Sequence, residues 1–122
     1  MKHSGLILFG HGSRDPRWAE PLHYVQKLIS VSQPGLPVKL AFLELMTPTL
    51  QEAVQALADD SVTAIQVIPF FLGQGGHVRR DLPDLIAEIQ QQHPQLSIRL
   101  APAVGESTDV LQAIRDYCLL QL

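Results

Sequence analysis

A single cysteine, Cys118, leaves this chain no partner for an intramolecular disulfide; its place in an apolar terminal segment reads as a buried thiol and fits a reducing compartment. Basic residues are scarce too. Nine Lys and Arg stand against twelve Asp and Glu, for a net charge of −3, whereas phosphate backbones and anionic membrane surfaces are held by clustered positive charge. Nucleic-acid and membrane partners are therefore excluded, and an anionic ligand must meet a local patch. Long apolar runs are missing as well: the first, after Met1-Lys2-His3, breaks at Phe9-Gly10, too short for a signal-peptide core or a membrane span. A soluble cytoplasmic protein is the expectation. What the chain does have is 46% hydrophobic residues in 122 positions, enough for one continuous core and too little length for two, so residues 1–122 read as a single domain.

Strand-like and helix-like stretches alternate four times without a linker, the pattern of βαβ units. The fold expected is α/β, a four-stranded parallel sheet with helices on both faces. The strands read as Leu6 to Phe9, Val38 to Leu43, Val62 to Ile68 and Ser97 to Leu100, and their near-continuous apolar character fits burial on both sides. Trp18, Leu22, Val25 and Ile29 recur at helical spacing, with a regular helix starting near Pro21 after a separate short turn over Asp15 to Glu20. Thr47 before Pro48 predicts an N-cap for a second helix carrying Leu50, Val54 and Leu57. A third helix capped by Asp81 carries Leu82, Leu85, Ile86 and Ile89, which leaves His77 in the loop before it. A fourth begins around Ser107 to Asp109 and is expected to bury Val110, Ile114, Tyr117 and Cys118.

Three strands run into turns that carry one metal-capable or proton-handling side chain each: His11, Glu44 and His77, 33 positions apart. In an open parallel sheet ligands bind outside the carboxyl ends of the strands, so residues at three such ends can share one site. His11 lies between Gly10 and Gly12, which permit unusual backbone angles and close approach of a ligand. Ser13, Arg14 and Asp15 follow, able to orient an anion or the imidazole, although Ser, Asp and Pro are also ordinary turn residues. His77 follows Gly73, Gly75 and Gly76, a loop that reads either as an accommodating site or as a flexible crossover and anion nest. Its spacing matches neither the P-loop nor the dinucleotide fingerprint. Arg79 and Arg80 add positive charge beside it. Imidazole nitrogen with carboxylate oxygen suits Co²⁺, Ni²⁺, Fe²⁺ or Zn²⁺ without choosing among them. His3, His23 and His93 lack comparable context and read as surface residues.

Gly10-His11-Gly12-Ser13-Arg14-Asp15-Pro16, then Phe42-Leu43-Glu44 with Pro48, then Pro69-Phe70-Phe71-Leu72 through Gly76-His77 to Asp81-Leu82-Pro83, resemble in order three motifs of the class II chelatases that insert a metal into sirohydrochlorin, in their short single-domain form. The resemblance covers nearly the whole chain. It implies a chelatase-like, flavodoxin-like half domain, a tetrapyrrole substrate of the sirohydrochlorin type, and a divalent metal (Co²⁺, Fe²⁺ or Ni²⁺) that is substrate and not permanent cofactor. It implies a metal site of His11, Glu44 and His77, with His11 and His77 catalytic: His11 binding the incoming ion and accepting a proton, His77 completing the site, Glu44 supplying anionic coordination. Ser13, Arg14, Gly75, Gly76, Arg79 and Arg80 become candidates for holding the carboxylate-bearing macrocycle. Longer relatives join two such domains around the macrocycle, so a homodimer is implied. Two other readings stay open: a histidine phosphocarrier domain of a sugar phosphotransferase system, phosphorylated on His11, which leaves Glu44 and the His77 loop without a role, and a non-catalytic tetrapyrrole or metal carrier.

Overall fold

Ile7, Leu8 and Phe9 are consecutive and all essentially inaccessible to solvent, which requires their strand to be covered on both faces and flanked on both edges. The computed structural model describes residues 3–73 and 75–122, with the side chains of His77 and Arg79 outside the described residues. In it β1 (Ser4–Gly10) lies between β2 (Val38–Phe42) and β3 (Ala64–Pro69), and β4 (Ser97–Leu100) pairs with the outer side of β3. All pairings are parallel, with Leu8 opposite Leu40 on one side and Ile68 on the other.

Parallel neighbours need crossover connections, and the helices supply them. α1 (Glu20–Ser32), preceded by a 3-10 turn over Pro16–Ala19, packs Leu22, Val25 and Ile29 on one face of the sheet against Leu8, Leu40 and Phe42. α2 (Leu50–Asp59) and α3 (Gly76–Gln92) cover the opposite face, where Val54, Leu57, Ile86 and Ile89 meet Ile7, Phe9, Ile65 and Val67. Each such aliphatic side chain taken from water contributes about 1.5–3 kcal/mol, so these two layers fix the register of the strands. The sheet therefore changes side between β1, whose crossover goes to α1, and β3, whose crossover goes to α3.

Four expectations need correction. β2 ends at Phe42, so Leu43 and Glu44 belong to the following loop. α2 is capped by Thr49, not Thr47: the Thr49 hydroxyl accepts from Glu52 N–H and the Glu52 carboxylate accepts from Thr49 N–H, a reciprocal box that leaves Thr47 and Pro48 outside the helix. α3 starts at Gly76 behind a Gly75 N-cap, placing His77 in its first turn and Pro83 well inside it; a glycine cap has no side chain to announce the start. α4 (Thr108–Leu119), capped by Ser107, buries none of its residues, and Cys118 is exposed. No helix among the described residues is long and apolar enough to cross a membrane.

Candidate metal-handling site

The side change between β1 and β3 is the topological switch point of the sheet, where two loops leaving in opposite directions open a crevice at the carboxyl end. His11 follows β1 there, and Gly73 and Gly75 lie between β3 and the start of α3. Phe70 N–H donates to the Phe9 carbonyl across the opening at 2.8 Å, so the two strand ends stay in register up to the mouth.

Glu44 reaches this point from the next strand. Past the end of β2, Leu43 N–H donates to the Gly10 carbonyl at 2.9 Å and Glu44 N–H to the His11 carbonyl at 3.1 Å, which prolongs the ladder beyond both strands. The two side chains then meet: His11 Nε2 is 3.0 Å from Glu44 Oε1, a hydrogen bond in the tautomer protonated at Nε2. Both remain about half open to solvent, at 48% and 56% side-chain exposure. A neutral imidazole and a carboxylate so placed offer a nitrogen and an oxygen donor to one divalent ion and two acceptors for departing protons.

The glycines flanking His11 have separate reasons. Gly12 sits at φ +101°, and a β-carbon there would fall on the Glu44 carbonyl oxygen. Only glycine lets the two loops approach this closely. At Gly10 a β-carbon would press on Trp18 and Leu22, so its role is the seating of α1 and the turn before it. By contrast, β-carbons at Gly73, Gly75 and Gly76 would meet open space. These three glycines therefore meet no steric demand from the described residues.

Ser13 and Asp15 are occupied locally: Ser13 Oγ accepts from Asp15 N–H at 3.1 Å, and the Asp15 carboxylate takes the Arg17 backbone N–H and, bidentately, its guanidinium. The Arg17 guanidinium, then its backbone N–H, lowers the Asp15 pKa, and the Asp15 carboxylate raises that of Arg17. This pair braces the His11 loop from its far end. Arg14 and Arg80 are exposed. Of the expected trio, the structure thus joins His11 and Glu44, while the side chains of His77 and Arg79 fall outside the described residues.

Sequence reasoning passed over the apolar surround. Leu43, Leu45 and Leu72 are 39%, 56% and 69% exposed around the mouth, although large aliphatic side chains in loops ordinarily turn inward. Beside them a cavity of about 130 Å³ opens between Phe9, Leu43, Val78, Asp81, Leu82 and Leu85. The signal was present as leucines on both sides of Glu44, outside any helical or strand period.

A family model described as CbiX matches residues 5–118. The sirohydrochlorin cobaltochelatase of Saccharolobus solfataricus is 31% identical over 111 residues, covering 83% of this chain and 82% of that protein. That of Methanopyrus kandleri is 36% identical over 81 residues, 66% of this chain and 57% of that one, and the sirohydrochlorin ferrochelatase of Bacillus subtilis is 28% identical over 114 residues, 89% and 42%. In the crystal structure of a cobalamin biosynthesis CbiX protein from Marinobacter aquaeolei VT8, 97% of this chain superposes on 96% of that one with a TM-score of 0.85 and 31% identity. The sirohydrochlorin chelatase of Bacillus subtilis subspecies spizizenii in complex with cobalt gives a TM-score of 0.73 at 27% identity, over 95% of this chain and 49% of that one. The chain spans about six-tenths of the Methanopyrus protein and about half of the Bacillus ones. By its sequence match from residue 5 to 118 and its sheet order, this chain belongs to the CbiX family.

Proposed function

We propose that this protein inserts a divalent metal ion, Co²⁺ or Fe²⁺ with Ni²⁺ as a further possibility, into a sirohydrochlorin-type tetrapyrrole. The observation that carries this reading is the His11–Glu44 pair, 3.0 Å apart and half exposed at the switch point. Insertion exchanges one M²⁺ for two pyrrole N–H protons, so it needs a donor set to deliver the ion and bases to receive the protons at the same place. His11 and Glu44 supply one nitrogen and up to two oxygens to the incoming ion. As the ion passes to the macrocycle nitrogens, the same lone pairs become available to the protons leaving them. His77, in the first turn of α3, is assigned as the third group at this site.

The exposed leucines suit a flat macrocycle. Leu43, Leu45 and Leu72 offer apolar contact to its face, while Ser13, the backbone at Gly75 and Gly76, and Arg14, Arg79 and Arg80 are assigned to its rim carboxylates. Buried pockets for sizeable ligands run to roughly 300–1,000 Å³, well above the 130 Å³ beside Leu43. One copy therefore offers a wall and not an enclosure, which supports a homodimer closing a cleft over the macrocycle. Relatives that align over only about half their length fit the same arrangement. The protein works in this reading as a cytoplasmic enzyme with no resident cofactor.

The test is to mix protein, sirohydrochlorin and Co²⁺ or Fe²⁺ and follow the absorbance change of the macrocycle. Acceleration above the spontaneous rate is expected, reduced at least tenfold by His11→Ala; no acceleration with any of these metals would refute the assignment, and binding without turnover would make the protein a carrier.

A further inference from the structure

Two residues other than glycine among the described ones hold a left-handed backbone: Ser61 at φ +68° and Leu45 at φ +66°. Such a backbone brings the β-carbon of an L-residue against the carbonyl oxygen that follows it, a cost that glycine avoids and that asparagine meets more easily than most. Ser61 has a local reason. It follows α2, where its N–H donates to the Ala58 carbonyl at 3.0 Å and Val62 N–H donates to the Leu57 carbonyl at 3.0 Å, closing the last turn of the helix. Leu45 ends no helix, and no backbone hydrogen bond is made at it among the described residues.

The loop dictates the backbone at Leu45 but not its side chain. Glu44 N–H is tied to the His11 carbonyl at 3.1 Å, which draws the loop toward β1, and Phe42 N–H is tied to the Pro48 carbonyl at 3.0 Å, which brings it back to the end of β2. The chain has to turn between these two ties, and a glycine or asparagine at position 45 would make the same turn with less strain. What leucine adds is an isobutyl group, of which the fold makes little use: Leu45 is 56% exposed and lies in neither core cluster. Backbone strain of this kind collects where a ligand is held, and Leu45 adjoins Glu44, whose carboxylate is 3.0 Å from His11 Nε2.

We infer that Leu45 is a specificity-determining residue: its isobutyl group is kept in a strained, exposed position so that the face of the macrocycle covers it on binding and is held over the His11–Glu44 pair. The occupant is a flat apolar ring system because the other aliphatic side chains at the mouth, Leu43 and Leu72, are exposed as well, and such a surface is stabilised by covering it with apolar area, not with charge. This inference rests on the metal insertion proposed above. It goes beyond that reading by assigning the grip on the ring face, as distinct from the rim carboxylates, to a residue without which the fold is no less stable.

Metal-free sirohydrochlorin, titrated into the protein and followed by its absorbance, tests this without any chemical step. Leu45→Asn and Leu45→Gly are expected to melt at or above the native temperature and to bind the macrocycle at least about tenfold more weakly, the change for losing one buried aliphatic side chain. Leu45→Met, which keeps an apolar side chain, is expected to restore most of the affinity. In turnover, KM for the macrocycle rises in the Asn and Gly variants while kcat and the metal dependence stay near native, since His11 and Glu44 keep their places. Asn and Gly variants that bind as tightly as the native chain would overturn the inference, and so would variants that melt well below it, because leucine would then serve the fold. A change of mass by light scattering in these variants would assign Leu45 to contact with a second copy and overturn it as well. A native chain that does not bind sirohydrochlorin would overturn the metal-insertion reading together with this one; native binding with unaltered variants would overturn this one alone.

Discussion

Gly12→Ala is the most searching perturbation of the site, because a single methyl group separates backbone strain from catalytic geometry. Alanine at φ +101° costs about 1–2 kcal/mol for the left-handed backbone alone. Its methyl would also fall on the Glu44 carbonyl oxygen, and that neighbour is backbone, so no rotamer change relieves the contact. The His11 loop and the Glu44 loop must separate, which breaks the Glu44 N–H to His11 carbonyl bond and pulls the carboxylate from the imidazole. The lost hydrogen bond adds about 1 kcal/mol. Gly35→Ala is the control: φ is +96° there, but nothing lies within 4 Å of the added carbon. At fixed protein concentration, the control is expected to lose about 1–2 kcal/mol and Gly12→Ala about 2–3 kcal/mol, the difference being the broken bond. At roughly 4 °C per kcal/mol for a domain of this size, the two should be resolved by calorimetry. Metal insertion is expected to fall about 100-fold in Gly12→Ala, since misplacement by an ångström costs that order in rate, and to stay near native in Gly35→Ala. Equal stability losses with native turnover in both would show that the approach of the two loops does not set the site.

Glu44→Gln keeps the shape and removes the charge; with the side chain half exposed, melting should move by no more than about 1 kcal/mol, while insertion slows at least tenfold and the metal concentration for half-maximal rate rises. Unchanged metal dependence would remove Glu44 from the ion's path. Thr49→Ala breaks the reciprocal cap of α2 and should cost about 1 kcal/mol in denaturant unfolding with insertion unaffected; a loss below about 0.3 kcal/mol would contradict the cap. Asp15→Asn probes the brace on the His11 loop. Its carboxyl is held below the usual carboxylate pKa by Arg17, so the stabilisation is present above the unfolded value near ~3.9 and is lost as pH falls through the folded-state pKa. The variant should be less stable than the native protein at pH 7, with the gap closing in acid; a gap constant with pH would assign the effect to something other than the ion pair.

Much of this protein was legible in its amino-acid order. The strands were, because residues such as Ile7 to Phe9 and Leu40 to Phe42 are apolar without interruption, which only a strand covered on both faces tolerates. The α2 stripe of Leu50, Val54 and Leu57 was legible through its period, and the three motif loops pointed to His11, Glu44 and His77 because each follows a strand. Local signals misled where two residues of the same chemistry compete, as Thr47 and Thr49 do for one cap, or where a helix starts on a glycine. Tertiary structure alone decided that Gly12 at positive φ brings the Glu44 backbone against the His11 loop, since a close approach between residues so far apart in the chain has no local trace. It also decided the fate of α4. Amphipathic spacing states that a helix has a face to be covered, but not by which surface, and here the turn before α4, tied by Gly105 N–H to the Phe71 carbonyl, directs that face away from the core its own chain builds.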